Sequence, residues 1–186
     1  MNQRLLSNVG IFLALIVLIV AGRYLPHAAN FTPAAAAGLF AAFWFRNRLV
    51  AVAVPLTGML LSDILIQQYY PWATMAVVYT AMTLPALMGS WLFRNPSRNL
   101  ATKFVKVGAG AVGSSLIFFI LTNLAVWLFD GLYAMNWTGF VACYSAAIPF
   151  FRFSLAGDLF FAFAIFGSHA LVTRLIARHH ARVAGL

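Results

Sequence analysis

The sequence has no glutamate, one cysteine and few charged side chains of any kind. Twelve lysines and arginines and three aspartates are its charged residues, 8% of 186, whereas a soluble domain has about 25%. So low a charge content excludes a soluble enzyme and a disordered chain. The single cysteine, Cys143, cannot form an internal disulfide, which excludes a disulfide-stapled secreted domain.

Apolar residues make up 63% of the chain, and its mean hydropathy is +0.91. A helical membrane span needs about 20 apolar residues, so this length allows about six or seven spans with short loops. The net charge of +9 comes from short basic clusters beside apolar stretches, not from a basic domain. We therefore predict an integral membrane protein that contacts the lipid bilayer and does not bind nucleic acid.

The apolar stretches predict an all-α bundle of six transmembrane spans in one domain, residues 1–186. The first stretch is long for a signal peptide, so we interpret it as a retained span. The second is short, and the segment before it is expected to form a loop that dips back toward the membrane. The predicted spans are about 5–22, 33–45, 49–67, 72–93, 107–129 and 153–173, and the predicted outer loops are 23–32 and 130–152.

Residues 132–150 are long enough to be a seventh span, but they include several polar side chains and Pro149. A seventh span would also move the basic C-terminal tail to the outer side of the membrane. The positive-inside rule argues against that placement. We therefore assign this segment to the outer loop, with a short interfacial or re-entrant helix.

The distribution of basic residues predicts the orientation of the bundle. With the N-terminus in the cytoplasm, ten of the twelve bases fall on the cytoplasmic side, and only Arg23 and Arg152 fall outside. Cytoplasmic loops of membrane proteins carry such an excess of Lys and Arg. The sequence thus predicts a multi-pass protein of the bacterial cytoplasmic (inner) membrane with both termini in the cytoplasm.

All three carboxylates fall in the outer half of this topology, and Asp63 and Asp158 lie within spans. Ionisable groups within spans usually face the bundle interior and have a partner. Two interpretations remain open: structural ion pairs, such as Arg152 with Asp158 or Asp63, and a polar pocket open to the outside. Polar and aromatic side chains concentrate in the same half, including Asn123 well below the rim, which favours the pocket.

Signals of catalysis are missing from the sequence. It contains no nucleophile–base–acid set and no cluster of side chains at metal-ligand spacing. We therefore expect no enzymatic activity, no metal and no cofactor.

Three segments together resemble a group of bacterial six-span membrane proteins of uncharacterised function. They are NFTPAAAAGLFAA from Asn30, PLTGMLLSDILI from Pro55, and CYSAAIPFFRFSLAGDLFF from Cys143. That group is in turn similar to the substrate-binding S components of energy-coupling factor (ECF) vitamin transporters. The resemblance covers nearly the whole chain in size, number of spans and basic cytoplasmic loops.

The resemblance implies a mechanism and a set of candidate residues. S components capture a vitamin-like nutrient at the outer face under a lid between spans 1 and 2, here residues 23–32. They then topple against a transmembrane T component that is driven by two ATPase subunits. The substrate-binding candidates that it implies, by position, are Asn30, Phe31, Asp63, Tyr70, Asn123, Tyr144, Arg152 and Asp158.

Two functions are consistent with these observations. The leading hypothesis is capture of a small organic micronutrient by an S component or by a solitary relative that works without an ATP-driven module. The alternative is a non-transport scaffold or assembly subunit of the cell-envelope machinery, whose outer charges hold the bundle together. A closed outer cavity would favour the first hypothesis, and tightly paired charges in a solid core would favour the second.

Overall fold

The computed structural model describes residues 2–26, 28–67, 71–95 and 99–183. Within these ranges the chain forms six α-helices, and all except α2 are long and apolar enough to cross a membrane. The all-helical fold expected from the composition is thereby confirmed, and the long apolar helices are compatible with a membrane helical bundle. The helices are α1 (Gln3–Tyr24), α2 (Ala34–Trp44), α3 (Arg48–Ile66), α4 (Trp72–Leu92), α5 (Leu100–Phe129) and α6 (Trp137–Val183).

Asparagine side chains determine where three of the helices begin. Asn2, Asn47 and Asn99 are the N-caps of α1, α3 and α5, and each side-chain oxygen accepts a hydrogen bond from the backbone N–H two residues later. An N-cap oxygen satisfies one of the N–H groups that a helix end leaves unpaired, which is worth about 1 kcal/mol. These three starts all lie at the end of the bundle predicted to face the cytoplasm.

The short helix α2 is the core of the bundle. Every residue from Ala34 to Ala42 is buried, and α2 packs against each of the other five helices. Its sequence, AAAAGLFAAFW, is rich in alanine, and small side chains allow neighbouring backbones to approach closely. At Gly38, an added Cβ would lie 3.7 Å from both Pro55 of α3 and Pro85 of α4, so the two proline-containing helices flank α2 at one level.

The outer faces of the long helices are apolar and uncovered. Large side chains such as Leu13, Val17 and Leu60 are about half exposed or more, although each sits in the middle of a helix. A soluble monomer rarely exposes so continuous an apolar surface, whereas a membrane protein covers it with lipid. This surface is the structural counterpart of the low charge content.

The structure differs from the sequence prediction over residues 130–152. Instead of an outer loop followed by a span at 153–173, one helix of 47 residues, α6, begins at Trp137 and continues to Val183. It is about 70 Å long. The helix passes through Pro149 without ending, as membrane helices tolerate when neighbouring groups satisfy the freed backbone. Most of residues 132–150 therefore belong to α6. They form neither an outer loop nor a separate seventh helix.

Tyr144, one of the polar residues that suggested a loop, has its hydrogen-bond partner on α5, and the indole of Trp127 on α5 has its partner at Ala134, just before α6. Tyr144 donates a hydrogen bond to the carbonyl oxygen of Ile120 at 2.7 Å, and Trp127 donates one to that of Ala134 at 3.0 Å. These bonds remove the cost of placing hydroxyl and indole groups beside apolar helices. The basic tail lies at the end of the bundle where the asparagine-capped helices begin, because α6 runs from one end to the other only once.

Helix α5 also begins earlier than predicted, at Leu100 rather than near residue 107. Lys103 and Lys106 are therefore helical, and the Lys106 ammonium group donates a hydrogen bond to the carbonyl oxygen of Asn95 at 3.0 Å. A long lysine side chain can keep its charge in the polar zone while its stem covers apolar surface. Charge alone was thus a poor marker of where this helix starts.

Candidate functional site

A buried ion pair joins α1 to α3. Arg23 Nη1 lies 2.7 Å from Asp63 Oδ1, and the two side chains are only 12% and 5% exposed. The same nitrogen donates hydrogen bonds to Ser62 Oγ at 2.5 Å and to the carbonyl oxygen of Met59 at 3.3 Å. Tyr79 of α4 donates its hydroxyl proton to Asp63 Oδ2 at 2.8 Å. The carboxylate of Asp63 is therefore committed to holding three helices together.

The ion pairs suggested for Arg152 do not form. Its side chain is exposed on the outside of α6, where the guanidinium carbon lies 4.7 Å from the ring centroid of Phe153. The partner of Asp63 is Arg23 instead. The signal for this pairing was already in the sequence, because Arg23 ends one span and Asp63 lies near the matching end of the span two further along the chain.

A cavity of about 470 Å³ opens at the end of the bundle opposite the helix starts capped by asparagine. Its volume lies in the range of small-molecule sites. The residues that line it come from the segment before α2 and from all six helices: Arg23, Ala29, Asn30, Thr32, Ala35, Met59, Ile66, Thr74, Val78, Ala81, Met82, Pro85, Ser114, Phe118, Phe119, Thr122, Asn123, Val126, Asp130, Ala147, Phe150, Phe151, Ser154 and Asp158.

The cavity exists because α2 is shorter than its neighbours. Ala35, in the first turn of α2, lies on the cavity wall together with Thr74 at the start of α4 and Asp130 at the end of α5. Helices α4, α5 and α6 continue outward beyond the point where α2 begins, so no helix fills the space above α2. The deep end is marked by Asp158, which bonds to Ser115; the rim at Asp130 is about 22 Å further along α5.

Residues 28–33, which precede α2, form part of the wall and are anchored to α6. Asn30, in a left-handed conformation with φ 62°, faces the cavity. The next residue, Phe31, packs its ring against those of Phe160 and Phe161, with centroids 5.9 and 5.4 Å away. Gly157 allows this contact, because a Cβ there would lie 3.0 Å from the backbone Cα of Phe31.

The deepest polar group of the cavity is the carboxylate of Asp158. The residue is 7% exposed, and its Oδ2 accepts a hydrogen bond from the hydroxyl of Ser115 at 2.6 Å. Among the residues that the structure describes, no hydrogen bond or ion pair to a second group accompanies this one. A carboxylate within a membrane helix is costly, so one that faces a cavity with a single hydroxyl partner indicates a binding site.

A second carboxylate lies at the rim. Thr74 donates its hydroxyl proton to Asp130 Oδ1 at 2.5 Å, which ties the start of α4 to the end of α5. Between the rim and the floor, the wall combines the rings of Phe118, Phe119 and Phe151 with the amide of Asn123. Apolar and aromatic walls with a few polar groups are typical of sites for small organic ligands.

The structure brings only some of the predicted residues together. Asn30, Asn123 and Asp158 line the cavity. Asp63 lies behind the wall in its ion pair with Arg23, and three others, Phe31, Tyr144 and Arg152, pack or point elsewhere. The eighth, Tyr70, lies outside the described residues.

Several wall residues were not predicted. Arg23, Thr74 and Asp130 contribute polar groups, and Phe118 and Phe119 contribute rings. A search for polar residues at one side of a helix would have found Thr122 next to Asn123. No comparable signal marks the phenylalanines, because phenylalanine also occurs on the exposed apolar surface of the bundle, as at Phe129 and Phe163.

Metal coordination has no structural basis in the part of the chain that the structure describes. There, no three His, Cys, Asp or Glu side chains come together in a way that could hold a metal ion. Groups able to bind an organic molecule are present: two carboxylates, one guanidinium, two amides and several hydroxyls. The arrangement can therefore orient a ligand by hydrogen bonds and charge.

Comparison with known proteins identifies a family. No curated protein and no solved structure matches the chain. The model of a family of unknown function, DUF6580, matches residues 3–181. The match includes every residue that lines the cavity. This chain therefore belongs to DUF6580, a family of unknown function.

Proposed function

We propose that this protein is a membrane transport protein that captures a small, vitamin-like organic nutrient in the cavity. It would work as an ECF S component or as a solitary relative. The observation that carries the proposal is the 470 Å³ cavity with aromatic walls and the buried carboxylate of Asp158 at its deep end. A bundle that served only as a scaffold would gain nothing from helices that pack around a cavity of this volume, since close packing contributes to stability.

In the proposed topology the cavity opens to the outside of a bacterial inner membrane. Arg4, Arg46, Arg48 and Arg94 fall at the opposite end of the bundle, together with the basic tail of α6. Cytoplasmic ends of membrane proteins carry this excess of positive charge. With the segment before it, α2 completes the second of six crossings, and both termini lie in the cytoplasm.

The segment between α1 and α2 is the proposed lid. Asn30 and Thr32 face the cavity, and the ring of Phe31 holds the segment against the aromatic rings of α6. Loss of the contact between Phe31 and these rings would open the wall of the cavity. As an S component, the protein would deliver its ligand inward by rigid-body movement driven by other chains, a T component with ATPase subunits. As a solitary relative, it would work without these partners.

Ligand capture is tested by native mass spectrometry of the gently purified protein, with identification of the small molecules that copurify. We expect one bound organic molecule per chain. Asp158→Asn removes the negative charge at the deep end of the cavity and is expected to lower ligand occupancy at least about tenfold, since hydrogen bonds to charged groups contribute about 1.5–3 kcal/mol.

The control is Tyr144→Phe, which removes the hydrogen bond to Ile120 but leaves the cavity wall unchanged. It should retain the ligand. A purified protein without any bound molecule that repeatedly brings down the same cell-envelope proteins would contradict the proposal. That result would support a scaffold or assembly subunit, the alternative favoured by the commitment of Asp63 to a structural ion pair.

A further inference from the structure

The charges around the cavity do not balance. Arg23 is the positive side chain on the described part of the wall, and its charge is compensated by Asp63 behind it at 2.7 Å. Asp130 and Asp158 remain, and neither has a basic partner among the described residues. Counted as ionised, the three carboxylates and the one guanidinium of the described residues leave a formal charge of −2 around the cavity.

Other polar groups near the cavity do not reverse this sign. The N-terminus of α2 has no side-chain cap and points toward the cavity, where Ala35 lies on the wall. A helix N-terminus is equivalent to roughly half a positive charge, which is less than the charge of one carboxylate. Arg152 is exposed on the outside of α6 and is not among the lining residues.

The aromatic walls, like the carboxylates, attract positively charged groups. Four phenylalanine rings, Phe118, Phe119, Phe150 and Phe151, lie between the floor and the rim. The faces of aromatic rings carry partial negative charge and attract cations, most strongly where water is excluded. An anionic ligand would meet these rings and two carboxylates, and among the described residues only Arg23, already paired, would attract it.

From this imbalance, and resting on the proposed function, we infer that the ligand is an organic cation: an aromatic or heterocyclic molecule with a protonated amine. Its cationic group would bind Asp158 at the deep end, next to Ser115 and Ser154, and its ring would lie between the phenylalanines. Asp130 is about 22 Å from this point, too far to bind the same group. Its place at the rim instead attracts cations toward the cavity.

Three probes that share one ring system test the sign of the charge. Tryptamine is a cation at neutral pH, tryptophol is neutral, and indole-3-acetate is an anion. Binding of each to the purified full-length protein is measured by calorimetry and by the shift in thermal unfolding temperature. We expect tryptamine to bind at least about tenfold more tightly than tryptophol, because hydrogen bonds to charged groups are stronger than those between neutral groups. We expect indole-3-acetate to bind most weakly.

Two variants locate the effect. Asp158→Asn keeps the shape of the side chain but not its charge, so the affinity ratio of tryptamine to tryptophol should fall to near one. Arg152→Gln changes a charge outside the cavity and should leave the ratio unchanged. If Asp158→Asn fails to fold, the ratio measured on the unmodified protein still decides the sign of the charge.

Two kinds of result would overturn the inference. One is that tryptophol or indole-3-acetate binds as tightly as tryptamine or more tightly. The other is that none of the three probes binds. The copurification experiment separates this inference from the proposed function. A bound neutral or anionic nutrient would overturn the inference that the ligand is a cation but would leave the transport proposal standing. A protein that binds no small molecule would overturn both.

Discussion

Asp63→Ala is expected to destabilise the folded protein by about 3–5 kcal/mol, the typical cost of leaving one partner of a buried ion pair without its counter-charge. Arg23 would keep its position at 12% exposure, with Ser62 and the carbonyl oxygen of Met59 as its remaining partners. Tyr79 would also lose its acceptor. The free energy of unfolding, measured by titration of the solubilised protein with a denaturing detergent, checks this value.

Two further variants separate the charge from the shape of the side chains. Tyr79→Phe removes only the hydroxyl donor and should cost about 1 kcal/mol. Arg23→Met combined with Asp63→Leu replaces both charges by apolar groups of similar size, and most of the stability should return, as it does where a buried pair is replaced as a unit. A loss from Asp63→Ala no larger than that from Tyr79→Phe would show that the pair contributes little to folding.

Gly58→Leu is expected to separate α1 from α3 and to destabilise the protein by about 1–3 kcal/mol or more, the cost of overpacking a filled core. A Cβ at Gly58 would lie 2.8 Å from two carbon atoms of Ile19 and 2.9 Å from a third. Ile19 is fully buried, so its side chain has no open space to move into. The thermal unfolding temperature of the purified variant measures the effect.

Gly10→Leu is the matched control for this substitution. Gly10 lies on α1 in an exposed position, and an added Cβ there meets no atom within 4 Å. Because leucine also favours the helix more than glycine does, Gly10→Leu should leave the unfolding temperature unchanged or raise it. Similar losses for both variants would mean that the contact between Gly58 and Ile19 is not what limits the approach of the two helices.

The lining of the cavity illustrates how far position along a sequence can predict a site. Asn123 and Asp158 were found because polar side chains deep within apolar spans are rare and costly. Asp63 met the same criterion, but it is paired behind the wall. The criterion selects groups that need a partner inside the bundle, and only tertiary contacts determine whether that partner is another side chain or a ligand.

The amino-acid sequence by itself determined the class of this protein. Low charge, long apolar stretches and basic clusters at alternate loops predict a helical membrane protein, because burying ionised groups in lipid is costly and backbone groups there must pair within helices. It also predicted that the second helix is short, since Pro33 and the polar residues before it interrupt the apolar stretch. Those features depend on local composition alone.

The tertiary structure decided what the local pattern left open. It joined residues 137–152 to α6, where the hydroxyl of Tyr144 finds a partner on α5 that the sequence does not display. It also paired Arg23 with Asp63 and left Asp158 at the floor of a cavity. The physical reason is that a charge inside a bundle is stable only with its neighbours in place, and those neighbours come from helices that are distant along the chain.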